Sequence, residues 1–510
     1  MVADPFKALL APSQSGASSS PLAASKAHPH QASNKRSRPP STINQLQRAI
    51  EKIISQPRFA TTRWGILIES LDRKRVLFSH EAHQLFVPAS NLKLYTTAAA
   101  LVHLGPAYRF RTSIFAAAPP NETGVIHGDI ILYGRGDPNL SSRASGGGSL
   151  TSLDSLAAQL YQAGIREIHG DVIGDESYFS GPPLGLGWEW DDLQWSYGAE
   201  ISALSVDDNV IELTLLPNDT VGAPAKIFTE PETSYVTIIN KTVTASTGES
   251  QDIGIHRGLE DNVIEIWGRV PTDGSGFQGY VAVHEPALYA ATVLAEALNR
   301  RGIKITGQPL RADAEYRQDH RLDVSKLKEL ASIESIPLSD ELRILNKISQ
   351  NLHAESLLRT LGAVVTGEAT TGKGTEVVQK LLQSVRARQR GIAIQDGSGL
   401  SRQNLVTPAS TVDLLRYMYQ HAQPKVFIGS LPVAGVDGTL ESRMRNTPAQ
   451  ANLRAKTGTL RYISTLSGYV TSARGEHLVF SIMANDHTGQ LSDVTEAADE
   501  IGVLLAEFGG

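Results

Sequence analysis

Helical periodicity first appears just after Pro39-Pro40. There Ile43, Leu46, Ile50 and Ile53 recur at helical spacing behind a capping Ser41 or Thr42, and the run stops at Pro57. The pattern then changes to alternation: Trp64, Ile66 and Ile68 predict a strand, Asp72-Arg73-Lys74 a polar turn, and Val76 and Phe78 a return strand. This hairpin leads into Val87-Pro88-Ala89-Ser90-Asn91-Leu92-Lys93, followed by an Ala- and Leu-rich run that ends at Gly105-Pro106, a C′ glycine with a proline behind it. A buried helix opened by Ser90 is expected.

From about residue 107 the texture becomes short strands punctuated by glycine. His127-Gly128-Asp129-Ile130-Ile131 and His169-Gly170-Asp171-Val172-Ile173 read as two versions of one turn-strand unit, separated by a helix with Leu153, Leu156 and Leu160 that stops at Gly164. Arg135-Gly136-Asp137 is expected to be a turn, and Gly146-Gly147-Gly148-Ser149 a flexible loop. Trp188, Trp190 and Trp195 fall among acids between Gly187 and Gly198, which fits a domain junction or, less well, a binding surface. Residues 209–270 are rich in β-branched and aromatic residues and predict a small all-β insertion. Helical pattern returns at Pro286 and runs to Gly302.

Further on, a helix over 339–348 leads to Ser349-Gln350-Asn351 and a second helix through Leu357, Leu358 and Leu361. Gly367 to Lys373 nearly matches a phosphate loop, but Gly374 stands where a magnesium-binding Ser or Thr is needed, so a loop between helices is expected. The polar, glycine-rich run from Asp396 to Asn404 is a candidate cleft wall. Strands around Leu466–Val470 and Leu478–Met483 follow Lys456-Thr457-Gly458-Thr459, and a helix with Val494, Ala497, Ile501 and Leu504 closes the chain.

Composition narrows the function classes. The 510 residues are 41% hydrophobic and 20% charged, ordinary for a globular protein of two to four domains. A net charge of −6 with no long basic run beyond the N-terminus argues against a nucleic-acid partner. The lack of cysteine removes thiol catalysis, cysteine zinc sites and disulfides together. The two histidines at matching turns have no carboxylate-histidine cluster with ligand spacing around them, so no metal site and no cofactor is expected. No apolar run approaches the ~20 residues of a membrane span. Residues 1–40, rich in Ser, Ala and Pro, are expected to be a disordered or targeting segment, although Phe6 to Leu10 is too short for a signal-peptide core.

The chemistry lies in three short motifs. Lys93 follows Ser90 by one helical turn, on the same face, so its amine can reach the serine hydroxyl as a base reaches a nucleophile. Ser-x-x-Lys alone is weak: roughly two chance matches are expected in a chain this long, and Ser325-Lys326-Leu327-Lys328 is a second one, in a charged stretch read as a solvated face. Ser349-x-Asn351 places a hydroxyl and an amide at a helix junction. Lys456-Thr457-Gly458 is rarer, with on the order of 0.1 chance matches.

In this order the three motifs are the signature of penicillin-binding proteins and serine β-lactamases. Together with the long insertion between the first two motifs, the stretch from Gly187 to Asn209 that includes Ser205-Val206-Asp207-Asp208-Asn209, and Asp396-Gly397-Ser398-Gly399-Leu400-Ser401-Arg402, they resemble the class C low-molecular-mass penicillin-binding proteins over roughly residues 41–508. That is the D-alanyl-D-alanine carboxypeptidase/endopeptidase family. The resemblance implies an α/β fold: a transpeptidase/β-lactamase-like domain, an antiparallel sheet with helices on both faces, carrying two inserted domains of which the inner is β-rich. The expected division is 41–110 and 311–510 for the transpeptidase-like domain, 111–208 and 271–310 for the outer insertion, and 209–270 for the inner one.

The resemblance further implies Ser90 as nucleophile, Lys93 as base with Lys456 helping to lower its pKa, Ser349 as proton relay, and Asn351 as partner of substrate or Lys93. Thr457, Gly458 and Thr459 with Lys456 would bind the terminal carboxylate, and the backbone N–H groups of Ser90 and Thr459 would stabilise the oxyanion. Peptidoglycan stem peptides and β-lactams are the implied partners, in the periplasm or cell envelope. A serine β-lactamase and a penicillin or peptidoglycan sensor without turnover are the rival readings.

Overall fold

The computed structural model describes residues 39–141, 151–385 and 391–510. The expected N-terminal segment, apart from residues 39 and 40, and the glycine-rich loop at 146–149 lie outside the described residues. The chain begins with helix α1 (Ile43–Ile54), whose start is capped by Thr42 Oγ1 on the Gln45 N–H at 3.3 Å, and whose Leu46, Ile50 and Ile53 are buried. Strands β1 (Arg63–Ser70) and β2 (Arg75–His80) form the expected hairpin. A bulge between Ile68 and Glu69 shifts its register, so Leu77 and Phe78 point inward while Val76, expected inside, is exposed. A 3₁₀ turn over Ala89–Leu92 then runs directly into α2 (Lys93–Leu104), which ends at left-handed Gly105.

The inserted segment follows as β3 (Arg111–Ala116), β4 (Val125–His127), β5 (Ile130–Tyr133), β6 (Asp137–Leu140), α3 (Thr151–Gln162), β7 (Glu167–His169), β8 (Val172–Asp175) and β9 (Leu204–Val206). Six strands come next: β10 (Val210–Leu216), β11 (Lys226–Glu230), β12 (Thr237–Ala245), β13 (Asp252–Arg257), β14 (Val263–Pro271) and β15 (Phe277–Ala282). They make two three-stranded sheets, β11-β10-β15 and β12-β14-β13. Helix α4 (Pro286–Arg300), β16 (Lys304–Ile305), β17 (Pro309–Ala312), α5 (Tyr316–Asp319) and β18 (Lys328–Glu334) complete the insertion. Two strands thus lie outside the expected limits: the β-rich block continues past 270 to Ala282, and β18, beyond 310, pairs with β3 in the five-stranded sheet β17-β8-β5-β3-β18.

The turn-strand unit read twice in the sequence occurs three times in space. His127 pairs with His169 and Ile130 with Val172, both in parallel, while Lys304 pairs with Glu167 and Pro309 with Val172. The third copy is Thr306-Gly307-Gln308. Each copy caps the next: Asp129 Oδ1 accepts the Asp171 N–H, and Asp171 Oδ1 the Gln308 N–H, both at 2.8 Å. Arg135-Gly136-Asp137 bends at left-handed Gly136 and buries Asp137.

The chain then returns through α6 (Leu338–Ile348), α7 (Asn351–Thr366), α8 (Thr371–Ser384), α9 (Pro408–Gln420) and α10 (Pro424–Ser430) to β19 (Arg454–Leu460), β20 (Ile463–Thr471), β21 (His477–Asn485) and α11 (Leu491–Glu507). Both ends of the chain meet in one antiparallel sheet, ordered β19-β20-β21-β1-β2. Alternation along β1 divides the core: Ile66 and Ile68 pack with α1 and α11, while Leu67 joins the helices around α2 and α7 on the other face. The phosphate-loop resemblance is a packing feature, since a Cβ on Gly374 would sit 2.1 Å from the Leu358 carbonyl oxygen, where α8 crosses α7. The Ser325 motif lies in an exposed turn, with its hydroxyl on Asp323 at 2.6 Å.

Candidate active site

The three motifs converge between the start of α2, the α6–α7 junction and strand β19. Ala89, at a left-handed φ of 46°, turns the chain so that Ser90 lies in the 3₁₀ turn and Lys93 becomes the first residue of α2. Lys93 is fully buried, and its Nζ donates to Ser90 Oγ at 3.0 Å, Asn351 Oδ1 at 2.6 Å and the Ser398 carbonyl at 2.8 Å. Asn351 in turn donates to the Tyr197 carbonyl at 2.8 Å. Ser349 is itself the turn between α6 and α7, with φ 63°, a conformation costly for a residue with a Cβ. Its Oγ accepts from Lys456 Nζ at 2.8 Å, and Lys456 also reaches the Thr457 carbonyl at 3.0 Å.

Strand β19 is an edge strand, and the Ser90 turn packs on it. The approach is so close that a Cβ on Gly458 would lie 2.3 Å from Thr465 Oγ1 and 2.9 Å from both the Pro88 carbonyl oxygen and the Ser90 nitrogen. Thr457 Oγ1 donates to Thr439 Oγ1 at 2.7 Å, while Thr459 is one residue beyond Gly458 on the same strand.

Burial dominates the electrostatics. It lowers Lys93 to about 7, against Asp396 and Glu355, which favour the ammonium. Burial also pulls Lys456 well below its ordinary value, and repulsion from Lys93 adds to this. The leading cause of the Lys93 shift is therefore desolvation, with Lys456, expected from the resemblance to help lower it, not among its causes. A serine hydroxyl next to an amine that is partly neutral at pH 7 is equipped for nucleophilic attack with proton transfer.

Several neighbours were not foreseen as site residues. Tyr197 and Ser398 act through backbone carbonyls, which leave no trace in residue type. The Asp396–Asn404 loop, expected only as a wall, supplies one of them. The tryptophan-rich stretch is both a junction and a neighbour of the site: Trp195 bridges to Val281 on β15, while Trp188 Nε1 donates to Asp396 at 3.1 Å. Behind the α6–α7 junction, buried His353 bonds Glu341 at 2.7 Å and Asp208 at 3.0 Å, and Gln350 donates to Asp208 at 2.6 Å. Asp207, Asp208 and Asn209 are all left-handed, and this kink carries the Asp208 carboxylate to the junction.

A half-buried serine on a buried lysine, beside a second serine-lysine pair, on an antiparallel sheet flanked by helices, defines a serine-type acyl-transfer hydrolase. Residues 46–507 match the D-Ala-D-Ala carboxypeptidase 3 (S13) family, and the chain belongs to it. It is 34% identical over 479 residues to the D-alanyl-D-alanine carboxypeptidase of an Actinomadura species, covering 92% of this chain and 86% of that one. It is 29% identical to the D-alanyl-D-alanine carboxypeptidase DacB of Haemophilus influenzae, covering 85% and 88% of the two chains. The crystal structure of penicillin binding protein 4 from the same organism superposes with a TM-score of 0.76 at 28% identity over 89% of this chain and 97% of that one. The same relative is known complexed with a β-lactam, at TM-score 0.70 and 25% identity. Among the described residues no helix is long and apolar enough to cross a membrane.

Proposed function

We propose that this enzyme hydrolyses the terminal D-Ala-D-Ala bond of peptidoglycan stem peptides through an acyl-enzyme on Ser90, and that β-lactams inhibit it at the same serine. The observation that carries this reading is the 3.0 Å contact from the buried Lys93 amine to Ser90 Oγ, with Asn351 and the Lys456–Ser349 pair around it. Ser90 Oγ bonds to the carbonyl carbon as its proton passes to Lys93 Nζ. The backbone N–H groups of Ser90 and Thr459 take the developing oxyanion. The C–N bond then breaks, and the leaving amine receives a proton through Ser349. Lys456, with Thr457 and Thr459, binds the terminal carboxylate, and Gly458 lets that strand lie against the nucleophile. Water attacks the ester and regenerates Ser90.

Such a substrate lies in the cell envelope, which makes the periplasm or its equivalent the working compartment. For the domain division we propose residues 41–110 and 335–508 as the catalytic domain and 111–334 as the insertion, supported by the pairing of β18 with β3. The test is D-alanine release from a pentapeptide by wild type and by Ser90→Ala. Release by the wild type alone supports the proposal. Rapid nitrocefin turnover without D-alanine release would point to a β-lactamase, and a lasting adduct without release to a sensor.

A further inference from the structure

Behind Lys93 lies a carboxylate that belongs to none of the three motifs. Glu355 follows Asn351 by four residues on α7, on the same face of the helix, and is fully buried. Its two oxygens share the single Gly397 N–H, each at 3.0 Å, and Oε1 also accepts the Ser398 N–H at 2.8 Å. The carbonyl of that same Ser398 is an acceptor of Lys93 Nζ. A single residue therefore connects the carboxylate to the amine.

The connecting loop has little freedom. Thr96 Oγ1 on α2 donates to the Gly397 carbonyl at 2.7 Å, and a Cβ on Gly397 would meet the Ala354 carbonyl oxygen at 2.6 Å. Gly399 is left-handed, with Ala89 O at 1.9 Å from a would-be Cβ. Asp396 holds the far side through the N–H groups of Gly399 at 2.9 Å and Ser401 at 2.7 Å.

We propose that Glu355 is a positioning residue for Lys93: through the Gly397-Ser398 backbone it fixes the carbonyl that orients the amine, and its charge stabilises the ammonium formed during acylation. The inference rests on the reading of Ser90 as nucleophile and Lys93 as base. In that step the Ser90 O–H bond breaks, its proton bonds to the Nζ lone pair, the Ser90 O–C bond forms, and the carbonyl π pair moves to oxygen. The new cation donates to Asn351 and Ser398 and faces Glu355 across one residue. A serine-histidine-aspartate site uses its carboxylate in the same way, but there the base is touched directly.

The other charged groups around this pair are Asp396 on the loop, Arg359 one turn along α7 and Lys456 on β19. Arg359 is engaged elsewhere, with Thr371 Oγ1 and the Pro182 carbonyl. Burial, then Asp396, raises the Glu355 carboxyl, while the hydrogen bonds from Ser398 and Gly397 favour its charged form.

The experiment is the rate of Ser90 acylation by a fluorescent penicillin, measured with the full chain across about pH 5 to 9, for wild type, Glu355→Gln and Glu355→Asp, with melting temperatures alongside. The wild-type rate should rise as Lys93 loses its proton near pH 7. Removing the carboxylate removes a group that favours the ammonium, so in Glu355→Gln the midpoint should move down by about one pH unit and the plateau should fall about tenfold to a hundredfold. Glu355→Asp keeps the charge but cannot reach both amides, so its midpoint should stay and its plateau fall. An unshifted midpoint in Glu355→Gln, with a rate that tracks only the lost folded fraction, would overturn the proposal. If that variant does not fold, Glu355→Asp decides, and a wild-type plateau there overturns it. No adduct on wild-type Ser90 would overturn both readings, whereas a labelled wild type with indifferent variants overturns this one alone.

Discussion

Gly458 shows how narrow the tolerance of the site is. Its missing Cβ is what allows β19 to touch the Ser90 turn, with Pro88 O, Ser90 N and Thr465 Oγ1 all within 2.9 Å of where that atom would be. Gly458→Ala should push the strand off the turn, costing about 1–3 kcal/mol of stability, and should cut acylation at least ~100-fold, measured by thermal denaturation and penicillin-labelling kinetics. Asn351→Ala removes the acceptor 2.6 Å from Lys93 and frees the Tyr197 carbonyl, so acylation should fall by about 10²-fold with little change in fold. The motifs carrying Ser90, Lys93, Ser349, Asn351 and Lys456 were legible in the sequence because each is a short local pattern, whereas the contact of Lys456 with Ser349 is tertiary. Thr439, Ser398 and Tyr197 were not, because they reach the site through tertiary contacts or backbone oxygens. Glu355 left one faint signal, its four-residue spacing from Asn351.

At the scale of elements, local pattern predicted most helices and strands and failed where geometry outvoted periodicity. The bulge at Leu77 in β2, opposite Ile68 and Glu69, moved Val76 out and Leu77 in, a change of face that alternation alone cannot foresee. The third turn-strand copy was missed because Thr306-Gly307-Gln308 keeps only the glycine of His-Gly-Asp. That glycine is the physically required residue: a Cβ on Gly307 would lie 2.4 Å from the Gly170 carbonyl oxygen. The phosphate-loop resemblance shows the opposite case, a sequence pattern whose glycine serves helix contact. Gly374→Ala should therefore destabilise the fold by about 1–3 kcal/mol through its clash with Leu358 O. ATP should give no thermal shift in either protein; a clear shift in wild type would revive the nucleotide reading.

For the whole molecule, the insertion is tied to the catalytic helices by a buried charged group. His353 links Glu341 on α6 to Asp208 from the insertion. Burial pushes its pKa down, but the two carboxylates prevail and hold it up at about 10. A histidine held above its ordinary value stabilises the fold fully below about pH 6.5, and that contribution is lost as pH rises through about 10. Wild type should thus lose stability from neutral to alkaline pH. His353→Ala, which removes the cation between two buried carboxylates, should lack that slope and be about 3–5 kcal/mol less stable at neutral pH, as read by denaturant titration; an equal slope in both proteins would remove His353 as the cause. The central claim is that Ser90 is the nucleophile and Lys93 its base. It is tested most directly by mass mapping of the penicillin adduct on wild type, Ser90→Ala and Lys93→Ala. One adduct on the peptide carrying Ser90, absent in Ser90→Ala and slowed at least ~100-fold in Lys93→Ala, is the predicted result. An adduct that survives Ser90→Ala, or none on the wild type, would contradict it.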